Sequence, residues 1–237
     1  MDSIRKTALV AGVLYLVTFA GSIPAALLLG SAQVDPTYTL GGIPDAQVRL
    51  AAVLELVNAL ACFGTALAVF SIVKREHEGL ALGFVATRSF EAATLGVGIV
   101  ALLTIATLRE SGAAIGEVGP ALAAIRYWTV VIGPGMAAFN ALMFGTLLYR
   151  SRLVPRAIPA LGIVGAPLLI AFVVGTMLGV TGPGTVWQGI AVAPFFIWEL
   201  VVGLWMTFKG FDRSARVVTA AAAATSQVAV AAKAGAA

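Results

Sequence analysis

Histidine and cysteine are nearly absent: the 237 residues contain one of each, His77 and Cys62. One thiol makes neither a disulfide nor a CxxC pair, and Cys62 reads as a small packing residue. One imidazole supplies neither the paired ligands of a haem held between helices nor a histidine-rich zinc site. His77 also lies in the hydrophilic stretch KREHEG. Charge is scarce as well, at 11% of residues, against roughly 25% in an ordinary soluble domain. No lysine sits at the centre of an apolar segment, so a retinal Schiff base has no anchor. Walker, GxSxG and dinucleotide-binding patterns are missing. The sequence therefore leans away from an enzyme and assigns no catalytic residue, metal or cofactor.

What fills the chain instead is apolar. Hydrophobic residues make up 60%, and the mean hydropathy is +0.99. A water-soluble fold of this size could not bury that much apolar surface. Spanning a bilayer takes about 20 apolar residues per helix, and six segments qualify: Thr7–Gly30, Val48–Val73, Gly79–Leu108, Ala121–Tyr149, Ala157–Val180 and Trp187–Lys209. None shows the alternation of a barrel strand, and lipid then leaves only helices. The expected fold class is an all-α polytopic membrane protein. Its six-helix domain covers residues 1–211. An Ala-rich tail over 212–237 has little to bury and reads as mobile.

Positive charge sets the expected orientation. With the N-terminus in the cytoplasm, every Lys and Arg outside the spans except Arg49 and Arg109 falls on the cytoplasmic side. Both termini are then cytoplasmic. The basic residues lie in short loops rather than along a helix. They point to anionic lipid as the partner and not to nucleic acid.

The chain echoes itself. NALACFGT from Asn58 returns as NALMFGT from Asn140, and LALGFV ending at Val85 returns as PALGIV ending at Val164. ELV occurs at Glu55–Val57 and again at Glu199–Val201. Either these are parallel repeats of a helical hairpin, as in many transporters, or a small alphabet is repeating by chance.

Charges inside spans are costly, at about 2.5–3.5 kcal/mol each on insertion scales, and seek partners in the bundle interior. Those here are Glu55, Arg88, Glu91, Arg126 and Glu199. At about 1.5 Å rise per residue, Glu55 and Arg126 reach similar depth in the outer part of the membrane and are placed to pair. Arg88 and Glu91 share a helix face, and Glu199 lies near their level, so Arg88 is placed to bridge both. Asn58, one turn from Glu55, adds an amide. With more carboxylates than guanidiniums, a proton on Glu91 or Glu199 would balance the charge. These residues form either a solute or proton site or a set of pins fixing helix register. Trp198, deeper than the belt of span-end aromatics, is the pocket candidate among the tryptophans. Gly133-Pro134-Gly135 interrupts span four as a hinge or a packing kink. GLALG from Gly79 and GTMLG from Gly175 match the small-residue helix-packing pattern.

Several stretches together resemble a family of bacterial membrane proteins, the domain-of-unknown-function family numbered 4386. They are KTALVAGVLYLVTFAGSIPA, LELVNAL, EGLALGFVATRSFEA, YWTVVIGPG, NALMFGTLLYRSRLVPR and WELVVGLW, running from about Lys6 to Phe211. The resemblance implies a six-helix protein of the bacterial inner membrane and brings no activity, cofactor or catalytic residue with it. From the residues alone, a small transporter or solute-binding bundle, for a small molecule or ion, is the first expectation. A non-catalytic membrane scaffold or partner subunit is the second, and a lipid-modifying enzyme the third. Oligomeric state is not legible.

Overall fold

The computed structural model describes residues 3–35, 39–112, 116 and 118–219. Among the described residues seven helices follow in order: α1 Ser3–Leu29, α2 Asp45–Val73, α3 Glu78–Glu110, α4 Val118–Gly135, α5 Ala137–Ser151, α6 Ala157–Met177 and α7 Val186–Phe208. A turn of 3₁₀ helix over Gly30–Gln33 extends α1. Among the described residues there is no strand. Because α4 and α5 run on as one span, Val118–Ser151, the helices make six segments long and apolar enough to cross a bilayer. The chain is an integral membrane protein.

The helices are apolar on every side, so burial does not sort polar from apolar faces as it does in water. What turns outward is large: Leu27, Leu60, Val100, Val164 and Phe208 are all exposed, as expected of surface that meets lipid. What turns inward includes many small residues: Ala8, Ala11, Ala51, Ala66, Ala138 and Ala141 are fully buried. Small inward residues let helix backbones approach closely. The helices form a ring in which each packs on its sequence neighbour and α7 closes back onto α1. That closure rests on Gly12, where a β-carbon would stand 2.5 Å from the Thr207 backbone nitrogen and 2.8 Å from the Gly203 carbonyl. Gly21 plays the same part against the Leu54 carbonyl of α2, at 2.6 Å. The expected GLALG and GTMLG patterns do less. Of their glycines only Gly83 touches another helix, at Met143 of α5, and Gly179 ends α6 with φ of 72° against open space.

Two apolar cores lie at opposite ends of the bundle. The larger holds the start of α1, the end of α2 and the start of α3, with Phe144, Leu147 and Trp198. The smaller holds Ala25, Leu29, Val48, Leu102 and Ile105 together with Leu40 of the α1–α2 loop. Arg109 ties that loop down by donating to the Leu40 and Ile43 carbonyls and pairing with Asp45, and Arg49 pairs with Glu110. At the other, basic end, Arg5 donates to the Met206 and Thr207 carbonyls at 3.0 and 2.7 Å, satisfying the end of α7. His77 caps α3, its Nδ1 accepting from the Leu80 N–H. Of the tail expected from residue 212, residues 212–219 pack on the bundle: the Asp212 N–H donates to the Leu153 carbonyl, and Val217 and Val218 join the larger core. Residues 220–237 lie outside the described residues.

Gly12 faces backbone, which cannot yield as a side chain can. We predict that Gly12→Leu costs at least the ~1–3 kcal/mol of an overpacked core and separates α1 from α7. Thermal unfolding in detergent, with a cysteine crosslink between the two helices as the second readout, checks this.

Candidate functional site

Between the two cores the helices carry their polar residues. α3 presents Arg88 and Glu91 three positions apart on one face. Arg88 is 1% exposed. Its Nη1 donates to Glu91 Oε2 at 3.1 Å, and its Nη2 donates to Glu199 Oε1 on α7 at 2.5 Å. Nη1 also meets Cys62 Sγ on α2 at 3.4 Å. The guanidinium lies 5.0 Å from the Tyr15 ring centroid on α1 and 5.9 Å from that of Phe84. Desolvated contacts of this kind are worth about 2 kcal/mol each. Tyr15 reaches this place because Gly203 of α7 leaves room for it: a β-carbon there would be 3.0 Å from the Tyr15 β-carbon. Glu91 has a second partner, Asn140 of α5, whose Nδ2 donates to Oε2 at 2.7 Å. Asn140 Oδ1 in turn takes the Thr87 hydroxyl at 2.5 Å. Arg88 thus joins α1, α2, α3 and α7, and Glu91 adds α5.

A cavity of about 240 Å³ adjoins this cluster, with walls from all six spans. Arg88, Glu91 and Glu199 line it with Asn58 and Cys62, and Thr18 and Ser22 add hydroxyls from α1. At roughly 30 Å³ per water, it has room for about eight waters or one small organic molecule. Phe19 and Phe196, edge to face at 4.9 Å, stand in its wall where α1 meets α7. Pro134 lines it too. Pro134 has no N–H for the Val130 carbonyl, and beyond it the Met136 N–H is shared between the Ile132 and Gly133 carbonyls at 3.1 and 3.0 Å. The helix breaks there into α4 and α5. Gly133 and Gly135 are buried, Gly135 against Val173 of α6.

The other in-span pair is closed. Arg126 of α4 grips Glu55 of α2 through both nitrogens, Nη1 to Oε2 at 2.8 Å and Nη2 to Oε1. To reach α2 it passes α3 at Gly98, where a β-carbon would come within 2.9 Å of Arg126 Nη1. Neither partner lines the cavity.

The structure therefore divides the residues singled out from sequence. Asn58, Arg88, Glu91 and Glu199 come together on the cavity, while Glu55 and Arg126 sit apart as a sealed pair. Trp198, the expected pocket tryptophan, does not line the cavity. It is fully buried with its ring flat on Gly162 of α6, and its neighbours Phe195 and Phe196 take the cavity wall instead. Cys62 is more than filler, since its Sγ touches both Arg88 and Asn58 Oδ1. Sequence reasoning misses Asn140, although its place in the echo of Asn58 is a usable signal. Tyr15 and Thr87 carry none. Among the described residues there is no cluster of His, Cys, Asp and Glu able to hold a metal.

A family model described as Domain of unknown function (DUF4386) matches residues 10–210. No curated protein and no solved structure matches the chain.

The sealed pair makes a prediction of its own. Removing one partner strands a buried charge, so Glu55→Gln or Arg126→Gln alone costs about 3–5 kcal/mol. Replacing both, as Glu55→Gln with Arg126→Met, recovers most of that loss. Unfolding of the single and double variants in a double-mutant cycle measures the coupling, and simple additivity contradicts the pin. Arg88→Lys destabilises too, because an ammonium cannot bridge two carboxylates as a planar fork while stacking on Tyr15.

Proposed function

We propose that this chain, which belongs to the DUF4386 family, binds and moves a small cationic solute or a proton through the cavity at Arg88, Glu91 and Glu199. The observation that carries the reading is the charge balance on the cavity wall: Glu91 and Glu199 share the single guanidinium of Arg88. With both carboxylates ionised the group carries one excess negative charge. Binding a cation or taking up a proton neutralises it. Neutral polar groups from Asn58, Thr18 and Ser22 surround it, and burial makes the choice between proton and cation energetically decisive. The interrupted span at Gly133-Pro134-Gly135 supports movement: broken helices in membranes occur where backbone is buried in protein or borders a water-filled cavity, and Pro134 lines the cavity here. On this reading Pro134 is the hinge beside the ligand.

The reading includes an orientation and a setting: the basic end faces the cytoplasm of a bacterial cell, following the distribution of Lys and Arg. The hairpins related by the Asn58 and Asn140 segments form a parallel repeat, with one asparagine from each beside the charged cluster. One observation favours a second reading, a non-catalytic scaffold. The Glu55–Arg126 pair does not line the Arg88 cavity and, on this second reading, serves register. The cavity beside Arg88 is what favours the first.

Tetramethylammonium, which carries a permanent charge and crosses lipid poorly, is the probe. In proteoliposomes of the full chain, its uptake should fall at least tenfold in Glu91→Gln and in Glu199→Gln. The Glu55→Gln, Arg126→Met double variant should keep it. A pH-sensitive dye inside the vesicles tests proton movement in parallel. If both glutamate variants fold and show the wild-type rate for both probes, the site reading is lost and the scaffold reading stands.

A further inference from the structure

A second hollow lies at the basic end, away from the Arg88 cavity, where α5 turns into α6. Arg152 ends α5 with φ of 58° and ψ of 29°, a left-handed conformation that favours glycine. Its N–H still closes the helix on the Leu148 carbonyl. A glycine would hold that turn with less strain, so the side chain has to account for an arginine there. Arg152 lines two adjoining hollows of about 580 and 470 Å³, as do Arg156 and Asp212. Lys209 lines the first and Arg216 the second. Among the described residues, no carboxylate forms an ion pair with Arg152, Lys209 or Arg216. Asp212 is the one carboxylate on the lining and is outnumbered there by basic residues; its Oδ1 accepts from the Ser214 N–H at 2.8 Å and the Ser214 hydroxyl at 2.7 Å. Those bonds hold its carboxyl below the usual range.

Depth identifies the surroundings. α7 has 23 residues, about 34 Å at 1.5 Å per residue, against a hydrocarbon core of about 30 Å. Lys209, immediately after α7, therefore stands at the headgroup level. Half-buried Trp205, one turn deeper, forms the wall next to it and sits where tryptophan is enriched in membrane proteins. The hollow is cationic at headgroup level and aromatic just below. We propose that it binds the phosphate of an anionic phospholipid, with the lipid's glycerol end against Trp205. Arginine forks match phosphate oxygens two at a time, and basic pockets between membrane helices are known hosts for such headgroups. A soluble phosphate would share the cations and have no use for the Trp205 wall. The inference is independent of the transport reading, because it uses none of the residues at Arg88.

Native mass spectrometry of the full chain in detergent, titrated with phosphatidylglycerol, phosphatidylcholine or glycerol 3-phosphate, tests it. Phosphatidylglycerol should be retained over phosphatidylcholine. At about fivefold per basic residue near the surface, R152Q with K209Q should weaken that retention about 30-fold. K74Q with R75Q, altering equal charge on the α2–α3 loop, should leave it unchanged. R152G keeps the chain foldable and should raise the melting temperature while lowering retention about fivefold. Equal retention of the two lipids, or equal losses in the two double variants, overturns the site. Glycerol 3-phosphate binding as tightly as phosphatidylglycerol overturns the lipid as its occupant.

Discussion

A guanidinium buried among hydrocarbon is tolerable only if its charge is answered and its flat faces are covered. Arg88 satisfies both demands at once, and the bundle is arranged around how it does so. Glu91 and Glu199 answer the charge from α3 and α7. Tyr15 and Phe84 lie against the guanidinium. Holding Tyr15 there requires α1 and α7 to cross almost backbone to backbone, which Gly12 and Gly203 permit. The ring of helices closes at that crossing. The same arrangement leaves space beside the carboxylates, since the broken α4–α5 span does not fill the centre as a straight helix would. Packing at the α1–α7 crossing and the break in the α4–α5 span thus meet at the same buried arginine.

The charged groups in this membrane have two different designs. Glu55 and Arg126 satisfy each other through a two-pronged contact and are shut off from everything else. Arg88 is divided between two carboxylates and a cysteine, and Glu91 between an arginine and an asparagine. A closed pair has one low-energy arrangement. In a shared network the members polarise one another, so a change at one alters the rest. Pairing of the first kind resists change, and pairing of the second kind responds to it.

Depth in the membrane is legible from the sequence, and direction around each helix is not. Counting residues along a rigid rod is enough to match Arg126 to Glu55 and Arg88 to Glu199. Charged residues also reveal their own facing, since they must point inward. An apolar helix surrounded by lipid carries no comparable stripe to show which side is inside. Trp198 is therefore placed at the correct level beside Glu199, yet its ring turns to Gly162 and not to the cavity. Tyr15 looks like one more apolar residue among many. Close approaches to a neighbouring backbone fall at Gly12 and Gly21, whereas of the glycines in GLALG and GTMLG only Gly83 meets another helix, at the Met143 side chain. Spacing cannot tell which glycine faces a neighbour. Asn140 is the recoverable omission, because the echo of the Asn58 segment marks it.

The partners of the buried charges are separated in time as well as in space. Arg126 follows Glu55 by 71 residues, and at ~5–20 residues per second it is made roughly 4–14 s later. Glu91 is different. It leaves the ribosome three residues after Arg88, already beside its counter-charge on the same helix. Glu199 comes last, 111 residues after Arg88, on the helix that also closes the ring. The insertion of α7 is therefore the event that both seals the bundle and completes its polar centre. A chain truncated before α7 would leave Arg88 with Glu91 as its one carboxylate partner, Tyr15 without its Gly203 contact, and the ring open along a seam.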